Sequence, residues 1–110
     1  MTKDDMVMEV SDQEFNKIVS SGQQLVVVDF FAEWCMPCLM LSPVIEELAQ
    51  EMQEVKFVKI NVDDNRELAG KYRVSSIPCL VFFKDGKEVD RIIGNVGQEA
   101  IAEKISEYIN

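Results

Sequence analysis

The sequence predicts an α/β fold in which a central mixed sheet of four to five strands, with an antiparallel C-terminal hairpin, is flanked by about four helices. Three observations support this prediction. A nearly continuous run of β-branched and aromatic residues, QLVVVDFF, is typical of a strand covered on both faces. Segments with helical spacing of apolar residues alternate with such runs along the chain. Asp85-Gly86, a preferred two-residue hairpin sequence, separates two further strand-like runs.

The N-terminal part of the chain is predicted to form a short strand and a helix. The strand lies around residues 6–10. Ser11 followed by Glu14 is a capping-box pattern, and the apolar residues after it recur at helical spacing. The Ser-Ser-Gly sequence that ends at Gly22 stops this helix.

The middle of the chain is predicted to contain the central strand, at residues 24–31, and a long helix, at about residues 35–51. Pro43 lies inside that helix and should bend it, because proline lacks an amide donor and crowds the carbonyl four residues earlier. A further strand is expected at residues 55–62. A short helix then ends near Gly70.

The C-terminal part is predicted to form the hairpin and a closing helix. The hairpin, which turns at Asp85-Gly86, forms an antiparallel edge of the sheet. The closing helix begins after Gly97 and is marked by isoleucines spaced by four, namely Ile101, Ile105 and Ile109. This order of elements places helices on both faces of one sheet, so residues 1–110 are expected to form a single domain.

Composition argues against several classes of function. The formal charge of −9 repels phosphate backbones, so nucleic acid is not an expected partner. No run reaches the ~18 apolar residues of a membrane span, and the charged start of the chain offers no secretory signal. Three cysteines leave one unpaired in any disulfide scheme, which suits a reducing compartment. We therefore expect a cytoplasmic monomer.

Cys35 and Cys38 lie where the central strand ends and the next helix begins, the edge at which open α/β sheets place their sites. The unpaired amides and the dipole of a helix start favour a thiolate at Cys35, which we expect to be the nucleophile and the more exposed sulfur. Residues three apart share one helix face, so a disulfide needs only a small adjustment. A Cys35–Cys38 disulfide closes a loop too short to stabilise the fold much. We therefore expect the disulfide to be reversible, with Cys38 as the resolving thiol.

Three alternatives to a reductase remain open from the residues alone. A metal or iron–sulfur protein would use Cys35, Cys38 and Cys79 with a carboxylate or a second chain, since the sequence contains no histidine. A glutaredoxin-like or oxidising thiol protein would differ in its redox potential. A binding module would use the fold only as a scaffold.

The segments VVVDFFAEWCMPC and SSIPCLVFFKDGK, with the elements around them, resemble the thioredoxin family over nearly the whole chain. An aromatic-Cys-x-Pro-Cys sequence after an aspartate-bearing strand is far more specific than Cys-x-x-Cys alone. The resemblance implies a thioredoxin fold and a protein disulfide reductase, an electron carrier without a cofactor. The implied partners are disulfide-containing target proteins and a separate thioredoxin reductase, nicotinamide- or ferredoxin-dependent, because no glycine-rich nucleotide fingerprint is present.

Asp29 is the most informative residue outside the cysteine pair. It lies within an apolar run, so burial without a partner should raise its pKa toward neutrality. The resemblance implies that Asp29 accepts the proton of Cys38, directly or through water. Lys59 matches the lysine that neighbours this acid in the family.

The resemblance also implies a substrate surface beside Cys35. Pro78 is expected to be cis, with the backbone of Ile77 free to pair with an extended substrate segment in the manner of strand addition. The apolar docking surface would consist of Trp34, Met36, Ile77, Pro78, Gly94 and Val96.

Three residues depart from the usual pattern of the family. Met36 replaces a glycine, which stiffens the first helical turn and leaves the redox potential open. Leu39 replaces a lysine whose positive charge would favour thiolates. Cys79 replaces a threonine and brings a third thiol toward the pair, although we interpret it as a small buried apolar residue at the start of a strand.

Overall fold

A computed structural model of the chain describes residues 7–20, 22 and 24–109. Within these residues it has five strands, β1 (Met8–Glu9), β2 (Val26–Phe31), β3 (Lys56–Asn61), β4 (Cys79–Lys84) and β5 (Lys87–Ile93). It also has four helices, α1 (Asp12–Ser20), α2 (Met36–Glu51), α3 (Arg66–Lys71) and α4 (Gln98–Ile109). The predicted fold class, a mixed sheet with flanking helices and a C-terminal hairpin, is confirmed.

The five strands form one sheet in the order β1-β3-β2-β4-β5. β3 pairs in parallel with both β1 and β2, whereas β4 is antiparallel to β2 and to β5. The strand predicted to be central, β2, does occupy the centre. Its register places Asp29 opposite Lys59 of β3 on one side and opposite Leu80 of β4 on the other.

Helices cover both faces of this sheet. On one face, strand residues such as Leu80 pack with Ile45 of α2 and Ile101 of α4. On the other face, Phe83 packs with Phe15 of α1 in a second buried cluster, to which α3 also contributes. Because successive side chains of a strand point to opposite faces, position along β2 and β4 decides which helices a residue meets.

The predicted element ends differ from the observed ones by one or two residues. The central strand begins at Val26 rather than at residue 24, although the Leu25 carbonyl already accepts a hydrogen bond from the Lys56 amide at 2.9 Å. The short helix ends at Lys71, one residue later than expected. The predicted first strand began at Met6, which lies outside the described residues.

Two local sequence signals act as predicted. The Ser11 amide donates to Glu14 Oε1 at 3.0 Å, and the Glu14 amide donates to Ser11 Oγ at 3.5 Å, which completes the capping box of α1. Asp85 and Gly86 both have positive φ angles, 54° and 82°, as a hairpin turn of two left-handed residues requires. Glycine is therefore the residue that suits position 86.

The long helix α2 continues through Pro43 to Glu51. Proline at this position deprives the Leu39 carbonyl of its usual amide partner, and the bend expected there stays a prediction. None of the helices in residues 7–20, 22 and 24–109 has both the length and the hydropathy that a bilayer crossing requires.

Candidate active site

The helix α2 begins directly after the turn that follows β2. Cys35 is its N-cap residue, with extended backbone angles of φ −90° and ψ 105°. The Cys38 amide donates to Cys35 Sγ at 3.3 Å, so one of the otherwise unpaired donors of the helix start is used by this sulfur. Pro37 lies in the first turn, where its missing amide costs no helical hydrogen bond.

Cys35 and Cys38 are joined by a disulfide, and their Cα atoms are 5.3 Å apart. Both pack with Ala32 in a small buried cluster that Phe31 and Ile77 adjoin. Cys35 retains 4% of its surface and Cys38 retains 3%. The expected difference in exposure is therefore almost absent in the disulfide state, and the helix start is what distinguishes the two sulfurs.

The segment that precedes β4 lies beside the pair. The Ile77–Pro78 peptide bond is cis, in agreement with the resemblance, and the Ile77 carbonyl oxygen is 3.9 Å from Cys35 Sγ. The Pro78 carbonyl accepts a hydrogen bond from the Gly94 amide at 2.8 Å. Gly94 has a φ of 97°, a conformation that side chains with a Cβ rarely adopt. These contacts connect the end of β5 to the cysteine pair.

Asp29 is buried on the sheet face that α2 covers. Its Oδ1 has no hydrogen-bond partner within the described residues. Burial raises the pKa of Asp29 to about 7, and the charge of Lys59 on the adjacent strand only partly offsets this effect. A pKa in this range makes both the protonated and the ionised form of Asp29 accessible near neutral pH, which suits a group that accepts and returns protons.

Lys59 lies opposite Asp29 in the parallel pairing of β2 and β3. Its Nζ atom is 5.5 Å from the centre of the Phe31 ring, a cation–π distance. The positive charge therefore lies close to the strand end that precedes the cysteine pair.

Trp34 and Met36 are exposed, with 71% and 64% of their surfaces accessible. The Trp34 indole Nε1 donates to Asp63 Oδ2 at 2.8 Å. Asp63 is in turn held by Asn61, a buried residue whose Oδ1 accepts from the Asp63 amide at 2.9 Å. Sequence reasoning missed Asp63 and Asn61. The Asn-x-Asp-Asp-Asn sequence after β3 is a turn signal, but it does not indicate which side chain the turn meets.

The remaining predicted docking residues differ in how accessible they are. Ile77 and Gly94 are partly exposed, whereas Pro78 is buried. Val96 is partly buried and packs against the cluster between the sheet and helices α2 and α4. Among these six residues, Trp34 and Met36 therefore contribute most of the accessible apolar area.

Cys79 lies apart from the pair, on the opposite face of the sheet. It opens β4 opposite Phe30, and it belongs to the cluster that α1 and α3 cover. Burial raises the pKa of its thiol, and the nearby Arg91 opposes this only in part. Among the described residues, no three side chains of the metal-ligating types are grouped as a metal site. Cys79 therefore matches the interpretation as a small buried apolar residue.

Comparisons with known proteins agree with this geometry. The family model described as Thioredoxin matches residues 6–107. The chain is 48% identical over 103 residues to a thioredoxin of Chlamydia caviae, covering 94% of this chain and 99% of that protein. It is 45% identical over 104 residues to a thioredoxin of Bacillus subtilis, covering 94% and 98%. It resembles the solved structure of a mutant thioredoxin from Halobacterium salinarum, with a TM-score of 0.90, 35% identity and coverage of 100% and 96%.

Proposed function

The chain belongs to the thioredoxin family, and on that premise we propose that it is a general protein disulfide reductase acting through the reversible Cys35–Cys38 disulfide. The observation that carries the proposal is this disulfide at the start of α2, next to the Ile77 carbonyl. Disulfide exchange needs a sulfur that can be held as a thiolate and a second sulfur within reach of it. Both are present within one helical turn.

The proposed reaction has two exchange steps. The Cys35 thiolate attacks one sulfur of a target disulfide, so that a mixed disulfide forms and the other target sulfur leaves as a thiolate. Cys38 then loses its proton and attacks Cys35 Sγ, which displaces the second target thiolate and forms the Cys35–Cys38 disulfide. The target gains two electrons and the pair loses two. Of the two protons the target needs, one comes from Cys38 and one from solvent.

Asp29 is the proposed acceptor of the Cys38 proton. Its pKa of about 7, raised by burial, lets it hold a proton or release it under the same conditions. Its position on the face that α2 covers supports this role. Lys59 is proposed to keep part of the Asp29 population ionised, because its charge lowers the pKa that burial raises.

Substrates are proposed to dock around Cys35 on Trp34, Met36, Ile77, Pro78, Gly94 and Val96. The exposure of Trp34 and Met36 supports contact with a protein surface, and the partial exposure of Ile77 beside Cys35 supports pairing with an extended segment. Because Pro78 is buried, its proposed contribution to docking is to hold the Ile77 backbone beside Cys35 rather than to offer exposed apolar area.

Membership of the family implies a thioredoxin reductase and disulfide-containing targets as partners. We further propose that the protein acts as a cytoplasmic monomer and carries electrons from that reductase to the targets. Whether the reductase depends on nicotinamide or on ferredoxin is decided by assaying insulin reduction with both types in parallel. The general-reductase proposal is refuted if neither reductase type supports insulin reduction and if insulin also stays unreduced when the Cys35–Cys38 pair has been reduced chemically.

Trapping experiments separate the roles of the two cysteines. Cys38→Ser should accumulate mixed disulfides with target proteins, because the resolving step is lost, whereas Cys35→Ser should trap none. If the protein were a binding module, Cys38→Ser would keep its biological effect. A variant that keeps this effect but no longer reduces disulfides would therefore contradict the reductase proposal.

Two further measurements address the remaining alternatives. Equilibration of the Cys35–Cys38 pair with a glutathione series should give a potential more reducing than the glutathione couple. A potential near that couple, or more oxidising, would support the glutaredoxin-like or oxidising alternative. Metal analysis after anaerobic purification is expected to find less than stoichiometric iron or zinc, and a stoichiometric amount would support a metal protein instead.

A further inference from the structure

The first two turns of α2 expose a row of large apolar side chains. Met36, Leu39 and Met40 retain 64%, 50% and 60% of their surfaces. Their spacing of three and four residues places them on one face of the helix, directly after Cys35. We call these three residues the α2 apolar face.

The opposite side of the same two turns is also apolar. Leu41 is buried against the sheet, and Cys38 is buried with Cys35 and Ala32. A surface helix normally carries polar side chains on its outer face, because exposing apolar groups to water is unfavourable. The segment MPCLMLSPVI at residues 36–45 contains no charged residue at all. The outer face of residues 36–45 therefore lacks the charged side chains that a solvated helix surface normally has, whereas the rest of α2 carries them.

The α2 apolar face lies close enough to Cys35 to fall within a protein interface of ordinary size. A protein interface of ordinary size buries about 800 Å² on each partner, which corresponds to a disc of roughly 16 Å radius. The helix rises about 1.5 Å per residue, so the Cα of Met40 is only about 8 Å further along the axis than Cys35. The interface of a protein whose disulfide reaches Cys35 is therefore large enough to include this face.

We propose that the α2 apolar face, Met36, Leu39 and Met40, selects protein disulfides that are flanked by apolar side chains. This inference rests on the proposed function, because it assumes that a target disulfide is attacked by Cys35. It assigns a specificity role to Leu39 and Met40, which have no role in the reaction steps proposed above. Since no charge lies on this face, recognition there depends on apolar burial rather than on ion pairing.

Two synthetic disulfides test the proposal. Each is a symmetric disulfide of a peptide of about eight residues with a central cysteine, long enough when extended to pass over Met40. One carries leucine and isoleucine around the cysteine, and the other carries serine and glutamine, with no charged side chain in either. The second-order rate of reduction by the reduced protein is measured for both peptides and for a small aromatic disulfide.

The wild-type protein should reduce the apolar peptide roughly tenfold faster than the polar one. Leu39→Gln combined with Met40→Gln should bring this preference close to one, while the rate with the small disulfide changes by less than about twofold. The matched control is Met8→Gln, which removes an equally exposed methionine, 52% accessible, from strand β1 at the sheet edge. It should keep the wild-type preference.

The outcomes separate this inference from the function on which it rests. If the wild type reduces neither peptide nor insulin, the reductase proposal fails and the inference fails with it. If the wild type reduces both peptides but the double variant keeps the full preference, only the inference is overturned. Loss of activity toward the small disulfide in the double variant would also overturn it, because that result indicates damage to the cysteine pair. Met40→Gln alone should give an intermediate preference.

Discussion

Two regions of this molecule bury cysteine and give it opposite properties. At the start of α2, Cys35 accepts a hydrogen bond from a helix-start amide and is bonded to a second cysteine one turn away. At the start of β4, Cys79 is enclosed by aromatic and aliphatic side chains, and burial raises the pKa of its thiol. All three cysteines keep 4% or less of their surface. Exposure therefore does not distinguish the disulfide-bonded cysteines from Cys79, whereas the local backbone donors and the partner sulfur do.

The sheet itself keeps these regions apart. Cys79 and Leu80 are neighbours in β4, so their side chains point to opposite faces. Leu80 lies opposite Asp29 in β2 and packs beneath α2, whereas Cys79 meets α1. Asp29, the proposed proton acceptor, thus lies on the sheet face that α2 covers, whereas the side chain of Cys79 points to the other face.

The largest expected effect concerns alkylation of the reduced protein. Cys35 should react with iodoacetamide in the native state, whereas Cys79 should react only when the fold opens. Opening of a buried strand costs several kcal/mol, so labelling of Cys79 should be at least about a thousandfold slower. Peptide mass mapping checks the order, with Cys79→Ala as a control that removes one label. Comparable alkylation rates at Cys35 and Cys79 would show that the two cysteines do not differ in reactivity.

The next effect concerns Asp29 and the dependence of stability on pH. Because the pKa of Asp29 is about 7 in the folded protein and 3.8 for an ordinary solvated aspartate, the unfolded state releases this proton first as pH rises. The free energy of unfolding should therefore fall between pH 4 and pH 7 by about 4 kcal/mol relative to Asp29→Asn, and stay level above this range.

Urea unfolding of the oxidised protein at several pH values measures this difference. The same variant should slow disulfide reduction at neutral pH while leaving Cys35 and Cys38 able to form their disulfide. An unchanged turnover across the pH range would remove the proton role from Asp29, even if the stability effect is present.

A smaller effect is expected from Lys59→Met. The Lys59 charge lowers the pKa of Asp29, so its removal should raise that pKa further and move the pH–rate profile to higher pH. Because one pKa unit corresponds to a tenfold change in ionisation, the loss of rate at neutral pH should be less than about tenfold. Lys56→Met, on the same strand, is the matched control and should leave the profile unchanged. A profile that shifts equally in both variants would argue against a specific role for Lys59.

Much of this arrangement was predictable because it follows from local sequence. Periodicity, the capping box and Asp85-Gly86 indicated the elements, and the position of Cys35 at the junction of strand and helix follows from their order. The buried state of Asp29 followed from its apolar neighbours. These features depend on residues close to one another in the chain.

Other features depend on contacts between distant segments. The cis bond before Pro78 was expected only from the resemblance, since most X-Pro bonds are trans. The buried cluster that contains Cys35 and Cys38 is adjoined by Ile77, which is 42 residues further along the chain than Cys35. The partner of Trp34 was missed for the same reason, because Asp63 is 29 residues further along the chain.

The smallest expected effect lies at the rim of the cysteine pair, in the hydrogen bond from Trp34 to Asp63. Trp34 is the single tryptophan of the chain, so tryptophan fluorescence reports on this side chain alone. Asp63→Ala should let the indole move more freely and lower its fluorescence anisotropy. Since both side chains are exposed, the bond contributes less than about 1 kcal/mol, and KM for insulin should rise by no more than roughly fivefold at unchanged kcat.

Asp64→Ala removes the same charge from the next position and serves as the control for this measurement. It should leave both the anisotropy and KM at their wild-type values, because the Trp34 indole is bonded to Asp63. If both variants raise KM equally, the effect comes from the acidic charge near the site rather than from the position of the indole. In that case the acidic side chains near Trp34 would act on substrates by electrostatics. The start of α2 would then differ from the start of β4 only in the environments of Cys35 and Cys79.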